Sequence, residues 1–402
     1  MRVLRTGLTS TRATVDISSN DGTAKQKGDY TFVVGRLVFE AGETEKIFPV
    51  LVNEDAYTEG LETATLVLQN PSGGTLGTPN TATLQIIDDA SEPSTNPIND
   101  SRTFVCQHYH DFLYRQSDQS GEDFWTQNIE SCGQNASCRD ARRVNVSAAF
   151  FLSIEFVETG YLVIRAHKAA FGNIKSNPRY QIFLRDQREI SEGVIVGQPG
   201  FDEKLATNRQ KYLEDFVTRA EFVAQFPLGQ SAAAYVDKLF QNTGATPSAA
   251  ERNAAIAAYG TGDTAGRVEA LKSVVNSGPV FNKLYNDSFV LMQYFGYLRR
   301  NPDDAPDFNF SGYDFWLAKL NSFTREGEDA RDEVVAFRRV QRAEMVRSFI
   351  ISEEYLQRFF GAAGGNQQGS VEQGSVGKSW KDGMARVAPF LFDPSVRRLW
   401  LP

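Results

Sequence analysis

The segment Phe150-Phe-Leu-Ser-Ile-Glu-Phe156 decides the architecture of most of this chain, because the sequence repeats it. Related segments run from Phe216 to Phe222 and from Phe349 to Tyr355, with the glutamate at positions 155, 221 and 354. The intervals between these glutamates are 66 and 133 residues, close to one period and two. Aromatic residues three and six positions apart place an apolar stripe along one side of a helix. The pattern therefore predicts an array of packed helices.

A longer unit surrounds the first and last copies of this segment. It begins with Tyr-x-x-(Phe/Tyr)-Leu-x-Arg at 109–115 and 294–300, passes an Asp/Gly turn, and continues into Asp123-Phe-Trp125 and Asp314-Phe-Trp316. Two weaker copies fill the middle of the chain. We therefore place helical repeats one and two at 101–230 and repeats three and four at 231–360, stacked because one unit cannot bury its own stripe. The repeat resembles the bacterial family called domain of unknown function 4214, which often occurs in large exported proteins and brings no established activity.

The first 90 residues predict β structure instead. Five short segments alternate between apolar and polar residues or are continuously apolar, at 13–17, 36–39, 46–52, 63–68 and 81–87. Turn signals such as Asp21-Gly22 and Glu59-Gly60 separate them, which is typical of an antiparallel sandwich. Residues 91–100 are polar and contain two prolines, so they predict an extended linker. The expected fold class is multidomain β plus α: an antiparallel sandwich followed by an all-α helical repeat region.

Within residues 1–90 an ordered set of motifs resembles the Calx-beta family. The motifs are Asp21-Gly-Thr-Ala24, Gly28-Asp-Tyr30, Phe39-x-Ala-Gly-Glu43, Glu54-Asp55, Glu59-Gly-x-Glu62, Leu68-x-Asn-Pro71 and Ile86-Ile-Asp-Asp89. The resemblance implies an immunoglobulin-like sandwich. In calcium-binding members of that family, loops at one end of the sandwich bring carboxylates together around two or more ions.

The resemblance carries a set of calcium ligands over to this sequence. The matching positions are Asp29, Glu54, Asp55, Glu59, Glu62, Asp88 and Asp89. Calcium takes six to eight oxygen ligands, so several loops must each supply a carboxylate. Residues 1–92 hold 13 acidic and 7 basic residues, a local excess of acid that a cation would offset. The alternative is that each acid is a turn residue or a solvated charge.

Two departures from the family leave the strength of this site open. Met1 falls inside the first strand, so the sequence begins after the half-strand that supplies a ligand glutamate in binding members. Ala90 also stands where those members have a third consecutive aspartate. We expect Ca²⁺ as the cofactor, bound weakly, or a site that has lost its ions.

A second candidate calcium site lies at Asp307, Asn309 and Ser311. Together with Gly312 these residues match the first half of an EF-hand loop. The twelfth position of that loop, normally a bidentate glutamate, is Ala318. The alternative interpretation is an Asp/Gly turn that caps the helix containing Phe315 and Trp316.

The three cysteines and three histidines predict structural roles. Cys132 and Cys138 enclose a short polar loop, which favours a disulfide in an exported protein, although two reduced surface thiols remain an alternative. Cys106 lies among apolar residues and predicts a buried free thiol. His108 and His110 are two positions apart on a predicted helix, so they point to different faces and cannot share a metal.

Known catalytic motifs are absent from the sequence: there is no nucleophile elbow, P-loop, dinucleotide-binding glycine motif or HExxH. No basic patch predicts nucleic-acid binding, and no apolar run has the length of a membrane span. We expect a non-enzymatic, exported bacterial protein of the cell surface or extracellular matrix, with no signal peptide in this sequence. Its calcium module would stiffen the chain, and its helical array would bind a protein or glycan whose identity, like the oligomeric state, the sequence does not indicate.

The rival hypothesis is a carbohydrate-active enzyme or a glycan-binding protein that uses carboxylates in a groove of the helical region. Paired acids in a cleft would favour it, and scattered acids on a convex array would favour the non-enzymatic interpretation. The tail, residues 361–402, is rich in Gly, Gln and Ser and predicts disorder.

Overall fold

The computed structural model describes residues 1–88 and 91–360, apart from the side chains of Arg342 and Ala343. The predicted tail at 361–402 and the candidate ligand Asp89 lie outside the described residues.

Six antiparallel strands form two sheets at the start of the chain. They are β1 (Arg2–Leu4), β2 (Ala13–Asp21), β3 (Val34–Phe39), β4 (Glu45–Ile47), β5 (Leu61–Ser72) and β6 (Thr81–Ile87). One sheet has the order β3-β2-β5-β6, and the other pairs β1 with β4. The expected antiparallel β fold is confirmed.

Alternation along β2 and β3 builds the core of this β domain. Val15 pairs with Leu37 in the ladder, and both side chains are buried together with Ile17 and Phe39. Because side chains alternate between the two faces of a strand, one apolar face per strand is enough to fill the space between the sheets. The strand expected at 46–52 ends at Ile47, two residues before Pro49, whose nitrogen cannot donate to a ladder.

The rest of the described chain is helical, as expected. The helices are α1 (Ser101–His108), α2 (Gln119–Glu130), α3 (Ala136–Leu152), α4 (Ile154–Glu158), α5 (Gly160–Phe171), α6 (Tyr180–Ser191), α7 (Phe201–Thr218), α8 (Ala220–Gln225), α9 (Ala232–Thr243), α10 (Ala249–Tyr259), α11 (Thr264–Val275), α12 (Gly278–Gly296), α13 (Ser311–Ser322), α14 (Glu333–Ala343), α15 (Met345–Ile350) and α16 (Glu353–Leu356). A 3₁₀ turn at Pro97–Asn99 precedes α1, and a π-helical turn at Tyr109–Leu113 follows it. Among the described residues no single helix has the length and apolar composition to cross a membrane. The segments Ala136–Glu158 and Gly160–Phe171 have that length and composition only when taken together, and they are bent by 63° at their junction.

The glutamate–aromatic segments that define the repeat adopt the same local geometry in the first and last copies. Ser153 and Ser352 each end a helix by donating to the carbonyl three residues earlier, at 2.8 and 2.7 Å. Each serine oxygen also accepts the backbone N–H three residues later, at 3.1 and 3.3 Å, which begins the next short helix. A single serine therefore produces the bend between the two helices in both copies.

Arg115 and Arg300 occupy equivalent places in these two copies. Each follows a residue with left-handed backbone, φ 52° at Tyr114 and 50° at Arg299. Each backbone N–H then donates to the carbonyl six residues earlier, at 3.4 and 3.3 Å. Because both arginines leave their helix through the same turn, their guanidinium groups point in the same direction within each copy.

The aromatic residues at the end of the repeated segment are buried, as the stripe predicts. Phe156 is 4% exposed, and Phe222 and Tyr355 are fully buried in the helical core. The middle copy differs at its glutamate, because Glu221 is exposed. The likeness of the helical region to a named family stays a prediction.

The cysteines are partly as expected. Cys132 and Cys138 form a disulfide with Cα atoms 5.6 Å apart. Cys106 is a free thiol but half-buried rather than buried, because its sulfur reaches Ser117 at the edge of the helical core. Burial raises the pKa of this thiol to about 11.

The β domain packs directly against the helical region. Phe32 belongs to the helical core rather than to the sandwich core. Arg36 on β3 binds Asp16 within the β domain and Asp215 on α7, at 2.8 and 3.2 Å. The linker expected at 91–100 also takes part, because Ile98 is fully buried in the helical core.

Candidate metal centre

Strand register explains why several acidic residues meet at one end of the sandwich. Asp21 at the end of β2 pairs with Ala64 near the beginning of β5, and Leu61 pairs with Ile87 at the end of β6. The loop after β2, the loop before β5 and the residues after β6 therefore share one edge. These three segments carry Asp29, Asp55, Glu59 and Asp88, and Glu62 is the second residue of β5.

Three carboxylates converge at this edge. Asp29, Glu59 and Glu62 each offer an oxygen, and the three oxygens lie within 4.8 Å of one another. Asp29 and Glu62 are each only 8% exposed, whereas Glu59 faces solvent. The group thus combines two buried acids with one accessible acid, an arrangement that opens towards water on one side.

Asp88 and Asp55 support the loop that carries Glu59. Asp88 Oδ2 accepts the backbone N–H of Glu59 at 2.7 Å and that of Gly60 at 3.4 Å. Gly60 has φ +78°, the left-handed region that glycine adopts without strain. Asp55 Oδ1 accepts the backbone N–H of Tyr57 at 2.9 Å. Each of these aspartates therefore has one oxygen engaged in holding the turn.

The acidic side chains at this edge have raised pKa values because they are partly buried and close together. Burial raises the pKa of Asp55 to about 7, and the charges of Asp29, Glu59 and Asp88 act in the same direction. Burial and the adjoining Asp29 carboxyl raise the pKa of Glu62. Burial also raises the pKa of Glu59, again helped by Asp29 and Asp88. Burial and mutual repulsion thus act in the same direction on the pKa values of these carboxyls, since both disfavour the ionised form.

The donor set fits a hard divalent cation. The converging groups are carboxylates alone, and oxygen ligands are those that Ca²⁺ and Mg²⁺ take in proteins. Carboxylates from separate loops match the flexible coordination of calcium, which needs six to eight oxygens. A cation here would reverse the raised pKa values, since it stabilises the ionised form of each acid.

The comparison with known proteins agrees with this geometry. Residues 1–90 match the Calx-beta domain family. These residues are a Calx-beta domain.

Two sodium/calcium exchangers are similar to about a fifth of this chain. The sodium/calcium exchanger Calx of Drosophila melanogaster is 39% identical over 90 residues, which are 22% of this chain and 10% of the exchanger. The sodium/calcium exchanger 1 of Mus musculus is 34% identical over an alignment of 103 residues, and the match covers 21% of this chain and 11% of the exchanger. The matched part thus spans about a tenth of the length of these relatives.

Two crystal structures of Calx domains are also similar to about a fifth of the chain. The apo form of the Calx CBD1 domain is 39% identical and covers 22% of this chain and 79% of that one, with a TM-score of 0.22. The calcium binding domain CBD12 of CALX1.1 has the same identity and covers 22% of this chain and 37% of that one, with a TM-score of 0.22.

The remaining candidate ligands behave differently from the central three. Glu54 is exposed and is not a member of the converging group, and Asp89 lies outside the described residues. At the second candidate site, Arg300 donates to Asp307 Oδ2 at 2.7 Å. Asn309 bridges the Asp307 carbonyl and the Ser311 backbone N–H, each at 2.7 Å. These groups serve an ion pair and the turn before α13, and a cation site here stays a prediction.

Sequence reasoning missed Asn53, which fastens the loops of the Calx-beta domain together. Its amide nitrogen donates to the Gly28 carbonyl at 2.6 Å, and its backbone N–H donates to the Asp29 carbonyl at 2.9 Å. The residue precedes Glu54-Asp55 in the motif. An asparagine in a loop predicts a turn, and nothing in its local sequence indicates a bond to a residue 25 positions earlier.

Proposed function

We propose that this chain is a non-enzymatic calcium-binding protein whose Calx-beta domain binds Ca²⁺ through Asp29, Glu59 and Glu62. Asp55 and Asp88 stand beside these ligands and supply further negative charge. The observation that carries the proposal is the convergence of three carboxylate oxygens within 4.8 Å at the end of the sandwich. Two of the three acids are buried, and burying ionised acids without a cation is unfavourable.

A disulfide in the helical region supports a role outside the reducing cytoplasm. The disulfide between Cys132 and Cys138 is of the kind that persists in oxidising compartments. We therefore propose an exported protein of the cell surface or matrix. In this proposal the calcium site stiffens one end of the molecule, and the helical region presents the surface that binds a protein or glycan partner.

The enzyme hypothesis has less support among the described residues. One cavity, of about 110 Å³, is lined by Glu158 and Glu333, but ligand pockets are commonly about 300–1,000 Å³. A larger polar cavity of about 450 Å³ has one carboxylate in its lining, Asp287. Both oxygens of Asp287 are engaged, with Tyr313 at 3.2 Å and Asn173 at 3.0 Å. Glycoside hydrolysis ordinarily needs two acids on opposite sides of the bond that breaks.

Isothermal titration of the full chain with CaCl₂ tests the calcium site. We expect binding in the wild type and loss of binding in Asp29→Asn combined with Glu62→Gln, which keep the shapes of both side chains and remove their charges. Glu45→Gln is the matched control, because this carboxylate lies on β4 of the same domain and outside the converging group. Absence of calcium binding by the wild type would refute the proposal.

A further inference from the structure

Two loops of the Calx-beta domain carry most of the proposed ligands, and both rest on the helical region. We name them the 25–31 loop, which carries Asp29, and the 53–59 loop, which carries Asp55 and Glu59. Both contact the three residues that follow α16, Gln357–Phe359, which we name the docking turn. The contacts are made by backbone atoms as well as side chains, so the positions of the loops depend on it.

The docking turn binds the 53–59 loop at two points. The backbone N–H of Ala56 donates to the Phe359 carbonyl at 2.9 Å. The Tyr57 hydroxyl donates to the Gln357 carbonyl at 2.5 Å. Ala56 and Tyr57 directly follow Asp55, whose carboxylate accepts the Tyr57 backbone N–H. A displacement of the docking turn would therefore be felt at the Asp55 carboxylate and, beyond it, at Glu59.

The same turn binds the 25–31 loop. Arg358 Nε donates to the Lys27 carbonyl at 2.9 Å. A Cβ placed on Gly28 would lie 3.4 Å from the Arg358 carbonyl oxygen, so the two backbones pass close together. Gly28 directly precedes Asp29. The backbone just before this buried ligand is thus hydrogen-bonded to the helical region at Lys27 and closely approached by it at Gly28.

The docking turn is itself held firmly. The Arg358 guanidinium donates to both oxygens of Asp111, at 3.0 and 2.9 Å, and to the Tyr297 carbonyl at 2.8 Å. Arg299 also donates to Asp111, at 2.8 Å, and reaches the Tyr30 carbonyl at the end of the 25–31 loop at 3.0 Å. Asp111 is 1% exposed and Arg358 is 5% exposed. Paired buried charges with several hydrogen bonds each form a rigid support.

We infer that the docking turn positions the calcium-binding loops, so that calcium binding and the packing of the docking turn on these two loops strengthen each other. The inference rests on the proposed function. Its physical basis is reciprocity: if docking orders the loops for calcium, calcium must favour docking by the same factor. The ion would then be sensed beyond the sandwich, at the end of the helical region.

Tyr57→Phe tests the inference, because it removes the hydrogen bond to Gln357 while keeping the ring. One lost hydrogen bond corresponds to calcium binding weakened about fivefold. The control is Asp215→Asn, which weakens a contact between the Calx-beta domain and the helical region at β3, away from the calcium loops. We expect that variant to bind calcium as the wild type does.

Hydrogen exchange gives the reciprocal measurement. Calcium should slow exchange of the Ala56 amide and of peptides covering 353–359 in the wild type, and should slow it less in Tyr57→Phe. Equal calcium affinities of wild type and Tyr57→Phe, or exchange at 353–359 that ignores calcium, would overturn the inference alone. Absence of calcium binding by the wild type would overturn the proposed function and the inference together.

Discussion

Arg115 holds Glu155 through two parallel hydrogen bonds, Nε to Oε1 at 2.7 Å and Nη2 to Oε2 at 2.9 Å. Arg300 and Glu354 repeat the arrangement at 2.6 and 2.9 Å, although 199 residues separate the two glutamates. The glutamate of the repeated segment is thus bound by the arginine of the Tyr-x-x-(Phe/Tyr)-Leu-x-Arg motif in both copies. This pair explains why the two motifs recur together along the chain.

Replacing Glu155 by Gln should destabilise the helical region. The glutamate is 1% exposed, and breaking a buried ion pair costs about 3–5 kcal/mol; since Arg115 retains some solvent access, we expect about 3 kcal/mol. Glu221→Gln is the matched control, because this glutamate has the same place in the second copy but is exposed. Its effect should stay within about 0.5 kcal/mol in urea denaturation. Equal losses of stability in both variants would mean that the Arg115–Glu155 ion pair does not account for the effect.

Glu62→Gln should change the stability of the Calx-beta domain in opposite directions with and without calcium. In a chelator at pH 8 the variant should be more stable than the wild type, by about 1 kcal/mol, because an acid whose pKa is raised by burial opposes folding when ionised. In millimolar calcium the wild type should be the more stable, since ligand binding stabilises by RT ln(1 + [Ca]/Kd). Thermal unfolding in the two buffers measures both effects. If Glu62→Gln were less stable than the wild type in chelator, ionised Glu62 would not oppose folding.

The stability of the calcium-free protein should fall as the pH rises from about 4 to 7. Asp55 has a folded pKa of about 7, above the value of 3.8 for an unperturbed aspartate, so the folded state binds more protons in this window. Stability from such a group is complete below the unfolded pKa and is lost as the pH rises through the folded value. Asp55→Asn should flatten this part of the profile. Calcium affinity of the wild type should rise over the same window, because protons compete with the ion.

Reduction of the Cys132–Cys138 disulfide should lower the free energy of unfolding by about 2 kcal/mol, the value for closing so short a loop. The double variant Cys132→Ser, Cys138→Ser should show the same loss and no further response to dithiothreitol. Cys106→Ser is the control and should keep the full response, since this thiol is free. A dithiothreitol effect that persists in the double variant would assign it to another cause.

The fold could be predicted from the sequence wherever a local period carries it. Val15 and Ile17 alternate along one strand and so indicate its buried face. Phe150 and Phe156 are both buried as expected, although Ser153 divides their segment between α3 and α4. The gathering of Asp29, Glu59 and Glu62 could be expected too, because the resemblance to the Calx-beta family implies that loops at one end of the sandwich bring these carboxylates together.

The contacts between the two regions could not be predicted, because nothing local marks them. Arg299 and Arg358 look like ordinary polar residues in the repeat, and their partners in the 25–31 loop lie 269 and 331 residues away. A buried arginine is satisfied by carbonyls and carboxylates from anywhere in the fold, and such bonds leave no periodic trace. The same reason explains why 91–100 resembles a linker in sequence while Ile98 is buried.

Phe32 belongs to the core of the helical region although it is encoded within the Calx-beta segment. A fragment ending at residue 90 would expose this ring to water and strip Arg299 from the carbonyls of Gln26 and Tyr30. The helical fragment left behind would lose the Gln26, Tyr30 and Lys27 carbonyls as acceptors and would expose Arg299 and Arg358 to water. Residue 90 is therefore an unsuitable position at which to divide the protein into fragments. Transfer of the calcium-binding loops into another protein would therefore require transfer of the docking turn with them.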